Sequence, residues 1–186
     1  SLLKRPARVV HEIARGHIGH TIAGLLVILI LCTLGYGLVM GTFSGGAQLW
    51  MGPIKLTVGT LLAAAICVPS LYIFLCLSGS DLSFAEVGGL LLAALALSGI
   101  LLVGFAPIAW IFSQSTNAVT FMGTLHWVFW TIGTCVGLHL LGAASALLSG
   151  HGKGALRVWG VIFVLVAMQM STTLRPLVGE AEGLRL

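Results

Sequence analysis

The chain has 186 residues, is 58% hydrophobic and carries only 8% charged residues, fourteen in all, with a formal net charge of +4. A soluble domain carries about three times that charged fraction. A water-covered surface, and a soluble catalytic domain beside the apolar stretches, are therefore excluded, and an integral membrane domain is implied. The clustering of Lys4, Arg5, Arg8 and Arg15 before the first apolar run fits membrane topology and anionic headgroups, not nucleic acid.

Residues 1–20, SLLKRPARVVHEIARGHIGH, predict a cytoplasmic arm containing a short amphipathic helix in the membrane interface. Pro6 suits a first turn, and Arg8, Glu12 and Arg15 fall largely opposite the apolar anchors. The long basic region and the full-length apolar run behind it do not match a signal peptide. His11, His17 and His20 are close in sequence but lack further ligands for a metal nearby.

The region 21–175 predicts a helical bundle of about five spans. The first runs over Thr21–Met40. Gly37, Gly41 and Gly45 recur every four residues at its outer end, a spacing that lets helices approach closely. The following GTFSGGAQLWMGP, rich in glycine and ending at Pro53, reads as a loop whose aromatic and apolar residues allow it to dip back into the membrane interface. It lacks the spacing and the strand–helix context of a phosphate-binding loop. The second span, Ile54–Leu77, contains Pro69, which predicts a kink, with Ser70 and Tyr72 placed to hydrogen-bond beside it.

The polar SGSDLSFAEVGG then offers Ser80 or Asp81 as a cap, and Ser83 with Glu86 as a capping box. These roles account for both acids, so neither is expected to be catalytic. The third span, Val87–Phe112, has a second kink-forming residue, Pro107, and Trp110 as an interface anchor. The fourth, Phe121–Leu148, has no charged residue and carries His126 and His139 at membrane depth. Thirteen residues separate them, which puts them about 140° apart around the helix and roughly 20 Å apart along it. Gly133 and Gly137 form a GxxxG pair between them. A fifth span, Ala155–Thr173, follows the basic SGHGKGALR and ends at Arg175 and Pro176, a structurally linked stop. Residues 176–186 form a short tail.

Counting basic residues in the flanks, Lys4, Arg5, Arg8, Arg15, Lys153 and Arg157 lie on one side, and Lys55, Arg175 and Arg185 on the other. This distribution predicts a cytoplasmic N-terminus. The four cysteines fall in apolar stretches without CxxC spacing and read as packing residues.

The phrases GTFSGG at 41–46, VPSLYIF at 68–74, SGSDLSF at 78–84 and TTLRPLVG at 172–179 resemble a family of bacterial polytopic inner-membrane proteins distantly similar to Yip1-type membrane domains. The resemblance covers roughly residues 4–179. Relatives usually have a bulkier aromatic where this chain has Leu177. The resemblance implies an all-α scaffold in the bacterial inner membrane and brings no assigned reaction, cofactor or catalytic residue.

The expectation that follows is a non-catalytic membrane subunit or scaffold, in contact with lipid and with other membrane subunits. Two alternatives remain open. One is a redox subunit carrying haem or a pigment on His126 or His139, each serving a different macrocycle. The other is a component of a small-molecule or lipid transporter, although no internal repeat supports it. For the two histidines an interhelical hydrogen bond, quinone or lipid contact, and a proton relay compete with ligation.

Overall fold

The computed structural model of the chain describes residues 18–44, 46, 48–116, 118–149 and 153–173. They form five α-helices: α1 Ile18–Ser44, α2 Gln48–Leu77, α3 Phe84–Ser115, α4 Val119–Ser149 and α5 Lys153–Thr173. No strand occurs among the described residues. The expected N-terminal interfacial helix, Gly45, Arg175, Pro176 and the tail lie outside them.

The first four helices are long and apolar enough to cross a membrane; α5 contains a shorter apolar stretch, Leu156–Gln169. The protein is thus an all-α, multi-pass membrane bundle. Lipid supplies no partners for backbone N–H and C=O groups, so each span must satisfy its own by closing the helical ladder. The same physics corrects one expectation. GTFSGGAQLWMGP is not a loop: α1 runs on to Ser44 and α2 already starts at Gln48, so Trp50, Gly52 and Pro53 are helical. In water this Gly- and Pro-rich composition would favour a turn. Here only residues 45–47 separate the two helices, and of these Gly46 is in a turn at a φ of 52°.

The other ends follow local chemistry. α2 stops in a Schellman turn: Gly79 adopts a φ of 79°, the Gly79 N–H donates to Cys76 O and the Ser80 N–H to Leu75 O. The capping box at α3 forms as its spacing predicts. The Glu86 N–H donates to the Ser83 side chain, while the Glu86 carboxylate accepts from the Ser83 N–H at 2.7 Å. Pro69 and Pro107 lie inside continuous helices. Both are exposed, so neither ring lines the interior.

α3 is the most enclosed helix. It packs against α1, α2 and α4, while α1 adjoins α2, and α5 lies against α2 and α4. Going around α3 the order is α1, α2, α5, α4. Between α4 and α1 the circuit is open: among the described residues no Cα of one comes within 8 Å of a Cα of the other. Two apolar clusters fill the bundle. The larger gathers Leu29, Leu71, Leu90, Leu91, Leu141 and the fully buried Trp159. The smaller gathers Tyr36, Leu102, Ala109 and Phe129, near the end where α1 turns into α2 and α3 into α4. Trp50, Trp110 and Trp127 are exposed at that same end, as interfacial aromatics are.

Candidate functional site

Each seam between neighbouring helices has a specific device, and the devices lead to the site. Along α1 and α2 it is close approach. A Cβ on Gly37 would lie 2.5 Å from Pro53 Cα, and one on Gly52 would lie 3.4 Å from Gly37 O and 3.7 Å from Gly41 Cα. Two turns of small residues therefore bring these backbones into contact. Just beneath, Thr33 and Thr57 oxygens are 2.9 Å apart in a buried position. Thr33 Oγ1 donates its proton back to carbonyls of its own helix, at 2.9 Å to Leu29 O. Thr57 therefore donates and Thr33 accepts.

The α3–α4 seam uses both devices. Ser98 Oγ donates to Gly133 O at 2.7 Å. A Cβ on Gly137 would overlap Ser98 Oγ and lie 2.7 Å from Ala94 O, and one on Gly133 would lie 3.3 Å from Ser98 O. A cavity of about 10 Å³ beside them, lined by Leu91, Thr134, Leu138 and Phe163 among others, has room for one water at most. At α2–α5, the Trp159 indole N–H donates to Ser70 Oγ at 3.0 Å, and Ser70 passes its own proton to Cys67 O at 2.8 Å. Ser70 thus bonds next to Pro69, as expected, and ties in a helix that the sequence had not linked to it.

The two membrane histidines have opposite surroundings. His126 is 6% exposed. Its Nδ1 lies 2.7 Å from the Tyr36 hydroxyl of α1, with the two rings edge to face at 5.6 Å. This pair spans the open α4–α1 side, where no Cα atoms of the two helices come within 8 Å among the described residues. Phe105 and Phe129, stacked at 4.7 Å, pack with Tyr36 in the same cluster. His126 Nε2 is buried and has no hydrogen-bond partner among the described residues. Tyr36 makes no other hydrogen bond among the described residues, which favours its hydroxyl as the donor to Nδ1 and the ring hydrogen on Nε2.

His139 points the other way. It is exposed on α4 in line with Thr131 and Cys135, which are exposed too. It makes no hydrogen bond among the described residues. α4 is 31 residues long, about 46 Å, against a hydrocarbon thickness of about 30 Å. Upright and centred, it puts His139 about 7 Å inside the hydrocarbon, and His126 only about 2–3 Å beneath the opposite boundary.

The structure therefore places His126 and His139 on different faces of α4. Gly37, Gly41, Gly133 and Gly137 lie buried in seams. Among the described residues no group of three or more His, Cys, Asp or Glu is placed to hold a metal. Tyr36, Thr33, Thr57, Ser98 and Trp159 were not singled out in the sequence, although each is a polar group in an apolar span and in that sense carried a signal. Compared with family models, curated proteins and solved structures, the chain matches none.

Proposed function

We propose that this protein is a non-catalytic subunit or scaffold of a larger membrane complex, and that the outward face of α4 meets the partner. The observation that carries this reading is His139. Its imidazole is exposed and has no partner among the described residues; about 7 Å inside the hydrocarbon, where an upright, centred α4 puts it, that costs free energy and is relieved by a neighbouring chain that supplies a donor or acceptor. Thr131 and Cys135 continue the polar strip at intervals of four residues, and their small size allows another helix to come close.

The rest of the assignment belongs to the same proposal. The bilayer is the inner membrane of a bacterium, the N-terminus is cytoplasmic, and α5 is a fifth span that carries the C-terminus across. Support comes from Arg157 and Lys153 at the start of α5 and from the basic arm before α1. The four phrases that resemble a family of bacterial inner-membrane proteins favour a scaffold over an enzyme.

A photoreactive phenylalanine analogue at position 139, activated in native membranes, tests the reading. The expected product is a protein–protein adduct at His139 and none at Leu31, a 63% exposed position on α1. Lipid adducts alone at position 139 would contradict it.

A further inference from the structure

The orphaned nitrogen of His126 lies on a different face from the strip around His139 and asks for a different partner. Four observations bear on what that partner is. First, Nδ1 is engaged by Tyr36 and Nε2 is left over; with the Tyr36 hydroxyl as donor the ring hydrogen is on Nε2, so the group in need is a donor and its complement is an acceptor without a proton of its own. Second, the surroundings are apolar and aromatic: Tyr36, Leu102, Ala109 and Phe129, with Leu125 and Trp130 half-buried at their edge. Third, this is the one side of the circuit around α3 where adjacent helix backbones do not meet among the described residues, so only side chains close it to the bilayer. Fourth, His126 is seven residues from the start of α4, which for an upright, centred helix is about 2–3 Å beneath the hydrocarbon boundary, near the level of lipid carbonyls and not of acyl chain ends.

We propose that the α1–α4 seam is a lipid-carbonyl site, in which the Nε2–H of His126 donates to the carbonyl oxygen of a membrane lipid. A carbonyl oxygen accepts without bringing a proton or a charge into the apolar cluster, which a phosphate or an ammonium would do. Tyr36 is the positioning residue: it holds the ring and its tautomer and does not touch the lipid. Entry requires a half-buried side chain at the edge, Leu125 or Trp130, to swing aside. Two lipid classes offer this chemistry, the ester of a phospholipid and the ring carbonyl of a quinone.

The test uses the full chain reconstituted in equimolar diester and diether phosphatidylcholine with identical tails, followed by native mass spectrometry of the lipid it retains. The ether has no carbonyl. The expected result is a preference for the diester of about three- to tenfold, the worth of one hydrogen bond in a dry site. The preference should vanish in His126→Leu and return in part in His126→Gln, whose amide N–H reaches toward the same place. A second arm adds a benzoquinone lipid to all-diether bilayers. Its selective retention, with no diester preference in the first arm, assigns the site to quinone. No preference for either carbonyl species over the diether, or a preference that survives in His126→Leu, overturns the proposal. If His126→Leu does not fold, His126→Phe takes its place: it keeps an aromatic ring in the cluster and has no donor, and an undiminished preference is then the overturning result.

Discussion

Ser98 Oγ of α3 donates to the carbonyl of Gly133 in α4 at 2.7 Å, and it occupies the space that a side chain on Gly137 would need. The two glycines of the pair are thus not equivalent. Gly137→Ala pushes a methyl group into Ser98 and the Ala94 carbonyl, whereas Gly133→Ala meets its nearest neighbour at 3.3 Å. Overpacking costs about 1–3 kcal/mol, against about 1 kcal/mol gained in helix propensity. Thermal unfolding in detergent should show a clear loss for Gly137→Ala and a smaller effect for Gly133→Ala. Equal effects would contradict this geometry.

The α1–α2 seam gives a sharper contrast. At Gly37 the obstacle is the backbone of Pro53, 2.5 Å from the position of a Cβ, and a backbone atom in a helix cannot swing away. Gly24, on the exposed face of the same helix, has nothing within 4 Å. Gly37→Ala should therefore cost about 3 kcal/mol or more. Gly24→Ala should be neutral or stabilising by up to about 1 kcal/mol. The same unfolding measurement on both variants decides the point.

At the α2–α5 seam, Trp159 combines a fully buried ring with one hydrogen bond to Ser70. Trp159→Phe keeps most of the ring contact and removes the donor, while Ser70 retains its bond to Cys67. The expected loss is about 1–2 kcal/mol, against about 3–5 kcal/mol for Trp159→Ala. Amide exchange should speed up in α5 before α1, because α5 is the shortest helix and has no Cα within 8 Å of the central α3. Uniform acceleration across all five helices would argue against α5 as a separately docked element.

The helices were legible because lipid leaves a chain few alternatives: an uncharged apolar run of sufficient length must be a helix. What the sequence hid was position in three dimensions. Pro53 and the surrounding glycines signal a loop by soluble-protein chemistry, yet here they are the contact surface of a helix pair. Tyr36 and His126 are ninety residues apart and on helices whose backbones do not meet, so no local pattern could link them. The angular separation of His126 and His139 was computable from helix geometry, and it agrees with one ring being buried and the other exposed. Which of the two faced inward depended on α3, whose Ala- and Leu-rich face carries no periodic signal strong enough to orient its neighbours.

The most direct test of the account is native mass spectrometry of the assembly after gentle extraction from membranes. The account predicts a protein mass larger than one chain, and that His139→Leu shifts the distribution toward the single chain. A monodisperse single chain from mild extraction, unchanged by His139→Leu, would contradict the reading of this protein as part of a larger complex.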